Sequence, residues 1–581
     1  MVVASYWKGD AMRKTFLILL VVLALVLAIG LVGCGGGDTD SATTTDPGAV
    51  AGAVDGGTMS FYINEPAYID PYNTQETEGM AVAYAIFEPL VKMDMLNPEN
   101  LIPGAAESWE ANDDASVWTF KLNPNGKFSD GTPVKAGDFV YAWNRMVNPE
   151  TVNTLTNEVD PSVIGYHLGY VKGYEEVAEG KATEMSGLKA LDDNTLEVTL
   201  TQSFADFPYV AGHPSLGPTP KDAVESGVDF NGSKVAYGEM PIGNGPFKMA
   251  EPWKHDQYIK VVKNENYGTG KAAHLDGIDF MIFKDPDTAY TEFLAGNLDF
   301  TSIGEGKITE ALSQFGESKN GYTANPGEQV LLGPQTGVYY LLMNNNKPPM
   351  DNPDVRRAVS LAINRQAICD IVFDGTRDPA GNILPPGVAG FVENSWADSR
   401  YDVEAAKKAL ADAGYPNGEG LEKLTLSFNS GGGHEKIMEL IQADLKAIGI
   451  ETDFESLEWD TYLKRLDEGN FTFGRLGWAA DYPIAYNFLY SLFDSRSGDN
   501  KSGYNNPEVD KMIAEAQTIA DPVARADKMA EISKIIGESN TVAPIMYYKH
   551  NHVASDRMNN FTFGPMHLTD YVNTWMTADR Q

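Results

Sequence analysis

Residues 424–456 read LTLSFNSGGGHEKIMELIQADLKAIGIETDFES. Leu424–Phe428 alternates in the two-residue period of a strand. Glu435–Ile448 carries apolar residues at helical spacing and stops at Gly449, and Ile450–Ser456 reads as a second strand. Strand, amphipathic helix and strand in that order imply a right-handed crossover and a partly parallel sheet.

The same alternation continues outward from this unit. Met59–Ile63, Val117–Leu122, Thr195–Leu200, Tyr258–Val262 and Gly277–Phe283 read as strands. Gly79–Phe87, Ala136–Met146, Asp287–Ala295, Val403–Ala413, Pro507–Ile519 and Pro522–Ile536 read as helices. Asn352–Ile371 reads as one helix, with its proline in the first turn. There is no repeat period, so a solenoid is excluded. The reading is an α/β protein of more than one lobe.

The chain has 581 residues, 43% of them hydrophobic and 10% aromatic, enough for a large core. Its formal charge is −37, and no basic stripe offsets it, so nucleic acid is not expected as a partner. An acidic, well-solvated surface accounts for that charge without a partner. Of the two cysteines, Cys369 lies in an apolar helical pattern and reads as a buried structural thiol.

The N-terminus has the three parts of an export signal: basic residues Lys8, Arg13 and Lys14, an apolar run from Phe16 to Ile29, and small residues before Cys34. Met12 begins a tidier signal than Met1. The run 16–33 is also near the lower limit for an uncleaved membrane anchor. Leu31-Val32-Gly33-Cys34 resembles the lipobox of bacterial lipoproteins. That resemblance implies cleavage of 1–33, acylation of Cys34 and attachment to the membrane outside the cytoplasm. Without 1–33 the formal charge becomes −39. Residues 34–57, rich in Gly, Ala, Thr and Asp, read as a flexible tether.

Enzyme motifs fail on inspection. Gly270-Lys271 and Gly306-Lys307 lack the hydroxyl residue and first glycine of a phosphate loop. His434-Glu435 has Met438 where a zinc-protease helix needs its second histidine. Ser215 has His213 where a nucleophile elbow needs glycine. His550 and His552 alternate on a possible strand and could share a metal, but two histidines alone are more often structural. No enzyme activity, cofactor or metal is expected.

Four blocks in order carry a resemblance. Phe128-Ser129-Asp130-Gly131-Thr132-Pro133-Val134 with Asp138–Trp143 is similar to a "DGTP…DFVYSW" block. Asn244-Gly245-Pro246-Phe247-Lys248 resembles "NGAYK", and Gly296-Asn297-Leu298-Asp299 resembles "G-x-x-D". Tyr340–Arg365 resembles "Y…NN…PPF…VR.A…A.DR". From about Thr58 onward the chain resembles the extracellular solute-binding proteins of bacterial ABC importers, in particular the oligopeptide-binding branch. The resemblance implies a type II periplasmic-binding-protein-like fold: two α/β lobes, an additional domain on the first, and a hinge of two crossovers that lets the lobes close on a ligand. It places the first lobe at 58–87, 230–333 and 549–581, the additional domain at 88–229, and the second lobe at 334–548. A monomer is expected, with a short peptide and ABC permease subunits as partners.

The sharpest local match is Arg475-Leu476-Gly477-Trp478-Ala479-Ala480-Asp481-Tyr482. The resemblance gives Asp481 the peptide's α-ammonium and brings Arg475 toward its carboxylate. It places Gly477 and Ala479 where backbone pairs with the peptide, makes Trp478 an apolar wall, and sets His434 near the peptide's C-terminus. Read without the resemblance, Asp481 is a helix cap and His434 a solvated loop residue. Two departures stand out. Phe373 occupies the place of a carboxylate-binding lysine, and Leu466 that of an arginine, for which Arg465 could substitute. A sugar oligomer, a nickel chelate or an opine on the same scaffold, or a peptide-signal sensor, remain alternatives. So do a secreted hydrolase and an adhesin using its outer surface.

Overall fold

Leu424–Asn429 and Thr452–Leu457 pair in parallel, register Leu424↔Thr452 to Asn429↔Leu457, and Glu435–Ala447 is the helix between them. Ile437, Met438, Ile441 and Leu445 bury that helix's apolar stripe, as the spacing predicts. These are features of a computed structural model that describes residues 53–577 apart from 305 and 432. The signal segment, Cys34 and the tether as far as residue 52 lie outside the described residues.

The parallel pair forms one edge of a six-stranded sheet. From the other edge the order is Asp378–Pro379, Val542–Lys549, Pro334–Met343, Phe473–Ala479, Leu424–Asn429 and Thr452–Leu457. Pro334–Met343 is central and buried on both faces. Tyr339, Leu341 and Met343 pack with the helices on one side, while Val338, Tyr340 and Leu342 join a different core on the other. A strand buried on both faces explains the unbroken apolar run VYYLLM.

A seven-stranded sheet is the centre of the other lobe. Its order is Phe247–Met249, Tyr258–Lys263, Gly277–Ile282, Thr58–Ile63, Phe300–Ser302, His552–Ala554 and Val330–Leu331. A four-stranded antiparallel sheet, Ala106–Ala111, Val117–Leu122, Thr195–Thr199 and Leu188–Asp192, carries the additional domain. It is packed against the helix Ala136–Val147 through Phe139 and Trp143. The chain passes between the two large sheets twice, from Leu331 to Pro334 and from Lys549 to His552. The His550 N–H donates to the Gly333 carbonyl at 2.9 Å and so ties the two crossings together. Gln335 Nε2 lies 2.7 Å from His550 Nδ1, while His550 Nε2 lies 3.2 Å from the Gly564 carbonyl oxygen. His550 is thus engaged at the hinge through both ring nitrogens. Two lobes, an additional domain and a two-crossing hinge make this the type II architecture.

Two expectations need correction. Asn352–Ile371 is two helices, Pro353–Ala362 and Arg365–Val372. Ile363 is extended, and Asn364 restarts the helix by capping the Ala367 N–H while its own N–H donates to Asp444 at 2.8 Å. Order also begins before Thr58: Ala53–Val54 pairs with Trp575–Thr577, and the Gly57 N–H donates to Asp276.

Cys369 is fully buried in the second lobe's core, where burial pushes its thiol up to about 12. A thiol needs both exposure and thiolate character to react. Cys369 is therefore expected to stay silent to a disulfide reagent at pH 8 in the native protein and to react in full after denaturation, read by released thiolate absorbance.

Candidate functional site

The Phe473–Ala479 strand pairs along its whole length with Pro334–Met343, from Met343↔Phe473 to Gly337↔Ala479. On its other side Leu424–Asn429 reaches only Phe473 and Gly474. Beyond that point, among the described residues, no strand covers the far edge. The Arg475 N–H donates to the Tyr462 hydroxyl at 2.7 Å, and its carbonyl accepts from that hydroxyl at 2.8 Å. The peptide groups of Arg475 therefore face away from Pro334–Met343, and alternation turns those of Gly477 and Ala479 to the same open edge. Gly477 leaves room on its side-chain face for Tyr548, whose hydroxyl would lie 1.9 Å from a Cβ there and would have to shift. Trp478 is half-buried, and its indole N–H donates to Asn487 Oδ1 at 2.9 Å.

Asp481 stands just past one end of this strand. It does not cap the helix that follows: Ala485–Phe493 starts after Ile484, with no side-chain cap. Instead Asn487 Nδ2 donates to Asp481 Oδ2 at 2.8 Å, and the Asp481 N–H donates to Asn487 Oδ1 at 3.1 Å. His213 Nε2 is 3.5 Å from one carboxylate oxygen, and His167 Nε2 is 4.0 Å from the other. No Lys or Arg pairs with Asp481 among the described residues. Burial works to raise its carboxyl, but His213, His167 and Asn487 together hold it below the ordinary carboxylate range. It is an ionised acceptor at neutral pH without a fixed cation.

Donor atoms of His167, His213 and Asp481 lie within 4.8 Å of one another, the residue types and spacing of a metal site. The hydrogen bonding argues otherwise. His213 Nδ1 accepts the Ser215 N–H at 3.1 Å, which assigns the ring proton to Nε2. A metal-binding imidazole has the reverse arrangement, its outer nitrogen donating and its inner one free.

Arg475, inside the other end of the strand, is the positive counterpart. It is buried, its Nε and Nη2 donate to Asn429 Oδ1 at 2.9 and 2.6 Å, and its guanidinium lies over Tyr339 and Trp459. His434 is buried beside it, 5.8 Å from the Tyr339 ring. Burial, with Arg475 and Arg377 nearby, holds His434 well below the ordinary imidazole range, so it is neutral. His434 Nδ1 and the Tyr339 hydroxyl are both buried without a hydrogen-bond partner. Asn429 and His434 come from the end of a parallel strand and the loop after it, where open α/β sheets place ligand sites.

Sequence reasoning missed Arg377. Phe373 carries no charge, but its ring is the platform on which the Arg377 guanidinium stacks, 4.0 Å from the centroid. Arg377 also lies 5.3 Å from the Tyr548 ring centre. Arg377 thus stands four residues beyond Phe373, where position-by-position matching does not look for a cation. Arg465 is committed elsewhere, to Glu455 at 2.6 Å, and Leu466 is core. Neither Arg475 nor Arg377 has a carboxylate at ion-pair distance among the described residues, in a chain whose net charge is −37.

The additional domain packs on the second lobe beside this strand. The Tyr166 hydroxyl donates to Asp499 at 2.8 Å, Arg525 pairs with Asp206 at 2.8 Å, and Tyr170 and Phe204 pack on Tyr486. Two lobes shut around a strand with opposite charges at its ends define a ligand-closing binding protein. The chain matches the bacterial extracellular solute-binding proteins, family 5 (middle), over residues 100–500, and it belongs to that family. It is 29% identical to the oligopeptide-binding protein OppA of Bacillus subtilis (strain 168), over 94% of this chain and 96% of that one. It is 32% identical to the periplasmic OppA of Haemophilus influenzae, over 83% and 86%. The H. influenzae OppA complex with RPPGFSPFR superposes with a TM-score of 0.78 at 28% identity, covering 90% of this chain and 99% of that one. The Escherichia coli murein tripeptide binding protein MppA superposes at 0.79, 27% identical with the same coverage. The unliganded open form of MppA gives only 0.61, at 27% identity over 91% and 99%, so the lobes here depart from that open arrangement.

Proposed function

We propose that this protein captures short peptides with free termini in the interlobe cleft and delivers them to an ABC-type permease. The peptide lies extended along the open edge of Phe473–Ala479 and pairs with the peptide groups of Gly477 and Ala479. Its α-ammonium meets Asp481, its carboxylate faces Arg475, Arg377 and His434, and Trp478 walls the cleft. One observation carries the reading: among the described residues, a strand edge without a partner strand runs from the guanidinium groups of Arg475 and Arg377, neither with an acid, to the largely buried Asp481 carboxylate, which has no Lys or Arg. From Arg475 to Asp481 the extended chain spans roughly 20 Å, room for a few residues between the poles.

The three sheets support a division into first lobe (58–87, 230–333, 549–581), additional domain (88–229) and second lobe (334–548). Acylation at Cys34 would tether the receptor beside its permease outside the cytoplasm. Among the described residues no helix is long and apolar enough to cross a membrane.

Acetylating the α-amine of a tripeptide is expected to cost about a hundredfold in affinity by calorimetric titration, because Asp481 is then buried without a cation. Equal affinities for free and acetylated peptide would refute the Asp481 role. Binding of an oligosaccharide or a nickel chelate but of no peptide would refute the ligand class.

A further inference from the structure

The face opposite Asp481 deepens the peptide-binding reading, on which the inference rests. His167 belongs to the turn Gly165–Leu168, and His213 immediately precedes the turn Pro214–Leu216, both on the additional domain. Each side chain is 2% exposed, and their rings are 4.7 Å apart. Asp481 and Tyr482 come from the second lobe, so the contacts of these histidines with them exist only when the lobes are closed. The groups facing His167 are His213, Asp481, Tyr166 and Tyr482, whose hydroxyl lies 3.2 Å from Nδ1. Tyr84 lies near enough for the Asp481 charge to help burial raise its hydroxyl, and Asp499 lies behind Tyr166, paired with Lys501. None of these brings a fixed cation to Asp481.

We propose that His167 and His213 form the first-lobe half of the ammonium subsite, and that His167 makes capture of the ligand's amine compete with a proton. His213 Nε2–H, fixed by the Ser215 bond, orients the carboxylate. His167 is the group free to charge. An imidazolium at His167 and an α-ammonium at Asp481 would be two cations in one closed, water-poor site, and the nearer pairing excludes the other. With the lobes parted, His167 is in water and titrates near the ordinary value of about 6.5. With the lobes shut, burial first and His213 second push it down to about 3.

The sign follows from linkage. The free protein binds the proton more tightly than the complex does, so affinity is complete above the ordinary histidine value. It falls about tenfold per pH unit below that value, until the depressed value is reached. The inferred effect is loss of captured peptide in mild acid, while Asp481 and the ligand's amine both stay ionised.

The test is calorimetric titration with trialanine at pH 7.5 and 5.0. Wild type is expected to bind about thirtyfold more weakly at pH 5.0. Runs near pH 6 in two buffers of different ionisation enthalpy should report release of part of a proton on binding. His167→Gln, whatever its affinity at pH 7.5, should shrink the ratio between the two pH values to within about threefold. His255→Gln, which alters an exposed histidine beside Glu65 and Glu239, should keep the full ratio. Thermal melts of the unliganded proteins check that the variants fold. Equal wild-type affinity at both pH values, or no proton release, overturns the inference and leaves the peptide reading standing. The full ratio in folded His167→Gln does the same. No binding of trialanine at either pH overturns both.

Discussion

Replacing Asp481 by Asn is expected to weaken a free tripeptide's binding by about a hundredfold or more, a loss of about 3 kcal/mol. The side chain is 12% exposed, so water cannot take over the ammonium's pairing once the cleft shuts. Asn keeps the shape but removes the charge, and its NH2 would meet the donors of Asn487 or His213, both of which now point at the carboxylate. The variant should also lose its preference for a free over an acetylated amine, since neither ligand then finds an ion pair. Titration of both ligands against both proteins reads this as a coupling energy. An Asp481→Asn protein that keeps its preference for the free amine would show that the ammonium is bound elsewhere.

Arg145→Met is expected to cost about 3–5 kcal/mol of stability. Arg145, on the helix Ala136–Val147, makes two 2.7 Å bonds to the oxygens of Asp70, and the side chains are 7% and 4% exposed. Tyr72 lies beneath the guanidinium, 4.4 Å from its ring centre. This pair joins the additional domain to the segment after the strand Thr58–Ile63. Removing the arginine leaves the buried Asp70 side chain without its partner, which is the costly half of breaking such a pair. Adding Asp70→Leu should recover much of the loss, because two apolar groups need no mutual pairing. Denaturant titration of wild type, single and double variants checks it. A single variant as stable as wild type would mean that water satisfies Asp70.

The parallel unit at 424–457 was readable from sequence because it obeys local rules: period two, then helical spacing, then period two. The break in 352–371 was not. Arg356 and Ala358 do not signal it, and the decisive contact, Asp444 accepting the Asn364 N–H, is far away in the chain. Several blocks that carry the family resemblance prove structural. Asn244 brackets the backbone of Glu88 through both ends of its amide, each at 2.8 Å, and Asp299 accepts from Ser60 N–H and the Ser555 hydroxyl. Arg365 is spent on the carbonyls of Pro544, Ser360 and Ile363. Such residues identify the fold without touching the cleft.

Arg475 and Asp481 stand out in the sequence because they share one short stretch with Gly477 and Trp478. Their partners come from three other parts of the chain. His167 and His213 belong to the additional domain, Arg377 to a turn that Phe373 supports, and Asn429 to a neighbouring strand. Nothing in the spacing of those residues announces convergence. It arises from lobe closure and sheet order, which are long-range properties.

The most direct test is a crystal structure of the protein with a bound tripeptide. The account predicts its ammonium within about 3 Å of an Asp481 carboxylate oxygen, its backbone paired with Gly477 and Ala479, and its carboxylate turned toward Arg475 and Arg377. A peptide bound with the opposite polarity, or held away from the Phe473–Ala479 edge, would contradict it.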